Sequence, residues 1–124
     1  MGMVHAAVTI FAADEMRRVT VRLVVDSGST LTWVHKDVLA QLGIRPRETR
    51  AFLPIDARRE PLMRPVADAL VACEGLQGVV GVVFADPGDH QALGVTALER
   101  LGLSVDPQSG TLTKEAAFLA LATV

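Results

Sequence analysis

The sequence predicts an all-β domain with one or two short helices, and three observations support this prediction. Polar and apolar residues alternate along 18–23, apolar and β-branched residues fill 66–71 and 79–84, and turn-forming residues separate these segments. Alternation with a period of two is typical of a strand that buries one face, and a continuous apolar run is typical of a strand inside a core. The 124 residues, half of them apolar, predict a single domain over 1–124 with its own core.

The first part of the chain predicts a hairpin followed by a short helix. Its predicted elements are a strand at 8–11, a polar turn at 12–15, a strand at 18–25 and an extended segment at 31–34. The helix is predicted over 36–42, where Val38, Leu39 and Leu42 have helical spacing, and Gly43 is a typical helix end.

The second part predicts further strands and a second helix. Its predicted elements are a hairpin over 50–69, strands at 66–71 and 79–84 with a turn at 74–78, a loop at 86–89, a helix at 95–101 and a strand–turn–strand at 104–112. The order of apolar strand, polar loop, short helix and Leu-Gly occurs at 24–44 and again at 82–103. This weak repeat is compatible with an internal pseudo-two-fold. The apolar segment 116–124 fits a strand or a helix equally.

Composition excludes several classes of function. A net charge of −2 and only five aromatic residues give no reason to expect a nucleic-acid or membrane partner. The single cysteine, Cys73, precludes an intrachain disulfide and favours a reducing, cytoplasmic location. Residues 1–9 do not resemble a signal peptide, and 116–124 is shorter than the roughly 20 residues that span a bilayer.

One stretch, Val-Val-Asp-Ser-Gly-Ser-Thr at 24–30, presents a carboxylate directly after an apolar strand. Asp26 is costly at such a position unless its oxygens accept hydrogen bonds. Gly28 and the flanking hydroxyl groups supply local donors. Asp, Ser and Gly are also common turn residues, so these seven residues alone fit an ordinary turn and a catalytic turn equally well.

The order of features along the chain resembles a retropepsin-type aspartic protease of the bacterial kind. The apolar run into Asp26-Ser27-Gly28-Ser29 is similar to the Asp-Ser/Thr-Gly-Ser/Ala signature, and the 50–63 hairpin lies where the family has its flap. Trp33-Val34, the helix ending Leu42-Gly43-Ile44, and Ala92-Leu93-Gly94 with the helix after it match further elements. The resemblance covers about 8–113, leaves 114–124 as a tail, and implies a closed acid-protease β-barrel with one lobe per chain.

The resemblance implies peptide hydrolysis by two aspartates that share a proton. The chain has one such turn, so the resemblance implies a C2 homodimer with Asp26 of each copy at the axis, acting on a peptide or protein substrate without metal or cofactor. By analogy, Ser27 bonds across the axis, Gly28 allows close backbone approach, and Ser29 bonds the outer oxygen of Asp26. The implied substrate-binding and flap residues are Ile55, Asp56, Ala57, Arg58, Arg59, Leu93 and Gly94. Residues 56–60 contain no glycine, unlike the family's flaps.

Three other interpretations were weighed. A catalytically weak or inactive dimerisation or peptide-binding module would keep the same fold, because fold does not fix function. A serine hydrolase is disfavoured because the sequence has no Gly-x-Ser-x-Gly motif. Zinc binding is disfavoured because the three histidines and Cys73 are scattered along the chain.

Overall fold

The computed structural model describes residues 3–54 and 60–115, and strands dominate them. Within these ranges the strands are β1 His5–Phe11, β2 Arg18–Val25, β3 Thr32–His35, β4 Glu48–Phe52, β5 Leu62–Cys73, β6 Leu76–Ala85, β7 Ala92–Leu93, β8 Leu103–Asp106 and β9 Thr111–Lys114. The helices are α1 Lys36–Gln41 and α2 Val95–Leu101. The prediction of a mostly β domain with two short helices is confirmed.

Seven of the described strands form one sheet in the order β1-β2-β7-β3-β6-β5-β4. β1 also pairs with β5, through Thr9–Ala72 and Ile10–Val71, so β1 has a hydrogen-bonded neighbour on each side. β8 and β9 form a separate antiparallel pair, which matches the strand–turn–strand predicted near the end of the described chain.

Strands of the two predicted repeats pair with each other in the large sheet. β2 of the first repeat runs parallel to β7 of the second, with Val24 opposite Ala92 and Val25 opposite Leu93. β3 of the first repeat runs parallel to β6 of the second, over four residue pairs. Both strands of the first repeat therefore pair with strands of the second repeat, as is expected for an internal pseudo-two-fold.

The core lies on the inner face of the large sheet and beneath the two helices. Its largest fully buried side chains include Val8, Ile10, Leu23, Val34, Leu39, Leu42, Val71, Val82 and Leu93. α2 buries Ala97, Leu98 and Leu101, and Gly102 ends it in the left-handed region with φ 74. Gly43 after α1 has φ 71, so both predicted glycine ends are confirmed.

The turn predicted at 74–78 is shorter than expected. Only Glu74 and Gly75 connect β5 to β6, with φ 53 and 76, and Cys73 lies opposite Leu76. Positive φ at both central residues allows a two-residue turn whose twist matches that of the flanking strands, so pairing resumes at once. The assignment of 76–78 to the turn was therefore wrong.

The predicted 50–69 hairpin is confirmed as the antiparallel β4–β5 pair, from Glu48–Val66 to Phe52–Leu62. Of its predicted tip at 56–60 only Glu60 belongs to the described residues, and the apolar segment 116–124 of the predicted tail lies outside them. In the ranges that are described, neither helix is long and apolar enough to cross a membrane.

Candidate active site

Asp26 is the first residue after β2, and its side-chain and backbone oxygens accept the hydrogen bonds that close the turn after it. The N–H of Gly28 donates to Asp26 Oδ1 at 2.9 Å, and the N–H of Ser29 donates to the Asp26 carbonyl at 3.1 Å. The Asp26 side chain is 39% exposed. The short turn therefore fixes the direction of a carboxylate that solvent still reaches.

Residues of the second repeat make hydrogen bonds with this turn. The N–H of Asp26 donates to the carbonyl of Leu93 at 3.0 Å, and the N–H of Val95 donates to the carbonyl of Ser29 at 2.7 Å. The Thr96 hydroxyl donates to the Thr30 carbonyl at 2.6 Å. The aspartate turn is thus bonded to the end of β7 and the start of α2.

Gly94 lies between these two bonded segments. Its N–H donates to Oγ1 of the buried Thr32 at 3.0 Å. A Cβ built at Gly94 would lie 2.3 Å from the carbonyl oxygen of Leu31 and 2.8 Å from that of Ser29. The backbone of the aspartate loop occupies the space of a side chain, so this position requires glycine.

Among the predicted site residues, Ser29 makes a different contact from the expected one, and Leu93, predicted as a substrate-binding residue, lies in the core. The Ser29 hydroxyl donates to the Leu31 carbonyl at 2.7 Å, so the hydrogen bond from Ser29 to the outer oxygen of Asp26 is not made in this chain. A hydroxyl group can donate only one hydrogen bond, and here the carbonyl two residues ahead accepts it. Leu93 is fully buried and contributes its carbonyl, so it supports Asp26 from within the core.

The other predicted residues divide into two groups. Ser27 and Gly28 are exposed at the outer side of the aspartate turn. The predicted flap residues Ile55, Asp56, Ala57, Arg58 and Arg59 lie outside the described residues. The structure thus brings Asp26, Ser27, Gly28, Ser29, Leu93 and Gly94 together at one place.

A cleft of about 720 Å³ opens in front of Asp26. Its walls are largely apolar and come from the N-terminal segment, the end of β2 and the turn between β8 and β9. Asp26 is the only carboxylate among the described residues that line it. One exposed carboxylate can accept or donate a proton, but hydrolysis by a carboxylate pair requires a second one.

His90 lies in the same cleft, and sequence reasoning did not single it out. Its Nε2 lies 3.9 Å from Asp26 Oδ2, and its side chain is 60% exposed. The sequence feature that could have identified His90 is its position two residues before Ala92, in the loop that leads into β7, the strand that pairs with β2 next to Asp26.

The loop that carries His90, residues 86–91, is anchored by a nearly buried ion pair. Arg64 of β5 donates from Nε and Nη2 to the two carboxylate oxygens of Asp89, at 2.7 and 3.0 Å. The side chains are 16% and 13% exposed. The guanidinium holds the pKa of Asp89 below its usual value, and the carboxylate raises the pKa of Arg64. Asp89 Oδ2 also accepts the N–H of Asp86 at 2.8 Å, which closes the loop.

Acid is expected to weaken this anchor. Because the pKa of Asp89 is lowered in the folded chain, its contribution to stability is complete above the unfolded pKa of about 3.9. That contribution is lost as the pH falls through the folded pKa. Urea unfolding of the wild type and Asp89→Asn should give a difference in unfolding free energy that is constant near neutral pH and shrinks below about pH 4.

The matched control is Asp68, which pairs with Arg47 at 3.0 Å on an exposed surface. Exposed pairs contribute at most about 1 kcal/mol, so Asp68→Asn should cost less than Asp89→Asn at neutral pH. A cost of Asp89→Asn that stays the same from neutral pH to about pH 2 would show that the ion pair is not the source.

No family model matches this chain, and no curated protein matches it. The interpretation of the Asp26 site therefore depends on its residues and their geometry.

Proposed function

We propose that this chain is a retropepsin-like aspartic endopeptidase that acts as a C2 homodimer. The observation that carries the proposal is the interlocked aspartate turn: Asp26 donates its N–H to Leu93, and Gly94 packs directly against the loop that follows Asp26. A rigid turn that presents a partly exposed carboxylate to a cleft is what a catalytic carboxylate needs.

The second carboxylate comes from a second copy of the chain. Among the described residues that line the cleft, Asp26 is the only carboxylate, and a two-fold axis beside it supplies an identical partner. Two carboxylates held close share one proton, so one activates a water molecule and the other protonates the scissile carbonyl. The Gly28 N–H holds Oδ1 and thereby orients the carboxylate toward that water.

The strand order supports one closed lobe per chain, because β1 has β2 on one side and β5 on the other. The free and buried Cys73 supports a reducing, cytoplasmic location. Neither a metal nor a cofactor takes part in the proposed reaction.

The second candidate is a dimeric peptide-binding module with little turnover. The observation that favours it is the sequence of 56–60, which contains no glycine at the predicted flap tip. Such a module would bind peptides in the same cleft without hydrolysing them.

Inhibition and assembly of the wild type separate these candidates. We expect a dimer in sedimentation velocity and hydrolysis of an unfolded protein at acidic pH, blocked by a pepstatin-like statine inhibitor. The inhibitor imitates the tetrahedral intermediate, so it binds most tightly where paired carboxylates stabilise that species. Tight inhibitor binding without hydrolysis would favour the binding module. A monomer at high concentration that neither hydrolyses the protein nor binds the inhibitor would overturn the proposal.

A further inference from the structure

We propose that His90 determines specificity in the Asp26 cleft by selecting a peptide with a carboxylate side chain when the imidazole is protonated. This inference rests on the proposed function in that the ligand is a peptide bound at Asp26. It adds the chemical class of the side chain that the cleft prefers.

The part of the cleft that the described residues line offers a bound peptide few charged groups. The apolar residues along its walls are Met3, Val4, Val24, Val25, Val105 and Pro107. The ionisable side chains in its described lining are Asp26 and His90. Within the described lining, a peptide side chain placed beside Asp26 therefore meets apolar surface, the polar Gln108 and Ser109, and one group that can become cationic, the His90 imidazole.

The imidazole of His90 remains accessible to a ligand. Its Nε2 lies 3.9 Å from Asp26 Oδ2, which is beyond hydrogen-bonding distance, and 60% of its side chain is exposed. A carboxylate oxygen that approaches Nε2 within 3 Å makes a charge-assisted hydrogen bond that Asp26 does not make here. The cleft in front of the ring has room for a ligand side chain.

The described carboxylates closest to His90 in its own loop, and Asp106 of β8, already have hydrogen-bond or ion-pair partners. In its own loop, Asp89 is bonded to Arg64, and Asp86 lies 3.2 Å from Lys36 Nζ and 3.5 Å from Arg64 Nε. At the end of β8, Asp106 Oδ1 accepts the backbone N–H of Gln108. Among the described side chains that line the cleft, Asp26 is the anion that competes with a ligand carboxylate for a protonated His90.

The selection depends on pH in a defined direction. Histidine is the side chain type whose charge changes between about pH 5 and 8, whereas a glutamate side chain is ionised throughout that range. The preference for Glu over the isosteric Gln should therefore rise as the pH falls from about 7.5 to 5. An ion pair at a partly exposed site contributes about 0.2 to 1 kcal/mol, which corresponds to a change of about 1.4- to 5-fold.

The test measures binding by the Asp26→Asn variant, which removes both turnover and the competing anion. Two unstructured octapeptides with apolar flanks differ only in a central Glu or Gln, and calorimetry gives their affinities at about pH 5 and 7.5. We expect the Glu-to-Gln affinity ratio to rise about 1.4- to 5-fold at the lower pH. The ratio should be independent of pH in Asp26→Asn/His90→Gln.

The matched control is Asp26→Asn/His35→Asn. His35 Nδ1 accepts the Asp37 N–H at the start of α1, and Asn is a preferred residue at this position, so an imidazole is removed while the helix cap is kept. This variant should retain the pH-dependent ratio.

Four outcomes decide between the proposals. A ratio that does not change with pH, a ratio that still changes without His90, or no binding of either peptide would each overturn the role of His90. A ratio that changes as expected, in a protein whose wild type hydrolyses no peptide, would support the role of His90 and overturn the proposed protease.

Discussion

Asp26→Asn is expected to abolish peptide hydrolysis and to leave the chain folded and dimeric. The amide keeps an oxygen that can accept the Gly28 N–H, so the turn retains the bond now made by Asp26 Oδ1. It cannot take a proton from water or give one to the scissile carbonyl. Loss of acid–base catalysis by a positioned group corresponds to a decrease in kcat of about 10²- to 10⁴-fold.

Asp14→Asn is the matched control for this substitution. Asp14 Oδ1 accepts the N–H of Met16 at 2.9 Å, the same i to i+2 contact that Asp26 makes with Gly28, but in the turn between β1 and β2. Hydrolysis by Asp14→Asn should equal that of the wild type. Hydrolysis by Asp26→Asn at the wild-type rate would show that this carboxylate is not catalytic.

Mixing the two chains tests whether the site is shared. After subunits of wild type and Asp26→Asn exchange in equal amounts, about one quarter of the dimers contain two wild-type chains. If each reaction needs both carboxylates, activity falls to about one quarter of that of the same total concentration of wild type. If each chain contained a complete site, about one half of the wild-type activity would remain.

The local elements of this fold were predictable because each has a short-range cause. The alternation along 18–23 identified β2, and the glycines after both helices identified their ends. Asp26 stood out because a carboxylate directly after an apolar strand needs hydrogen bonds, and the Gly28 N–H supplies one. These signals span only a few residues.

The contacts that organise the site were not predictable in the same way, because they join residues far apart in sequence. Arg64 and Asp89 are 25 residues apart, and each alone has the pattern of a charge in or beside a loop. His90 acquires its place next to Asp26 from the pairing of β7 with β2. The sequence offers the Ser29 hydroxyl two possible acceptors, the Leu31 carbonyl and the Asp26 carboxylate, and in the folded chain it donates to the Leu31 carbonyl.

Gly94→Ala is expected to destabilise the fold and to displace the aspartate turn. The backbone of Gly94 has φ −88 and ψ 171, which any residue adopts, so the cost is steric. The added Cβ would lie 2.3 Å from the Leu31 carbonyl oxygen and 2.8 Å from that of Ser29. Backbone atoms cannot rotate away as a side chain can, so we expect a loss of about 3 kcal/mol in the free energy of unfolding.

Gly81→Ala is the matched control, because its Cβ would lie 3.0 Å from Cδ2 of the same residue, Leu31. That atom is the end of a flexible side chain, so the control should cost less than Gly94→Ala in urea unfolding at neutral pH. Hydrolysis by the fraction of Gly94→Ala that remains folded should also fall, since the loop it displaces starts at Asp26. Equal costs for the two substitutions would show that β7 does not hold the aspartate loop rigidly. Full hydrolysis by folded Gly94→Ala would show that the packing of Gly94 against the aspartate loop does not determine the position of Asp26.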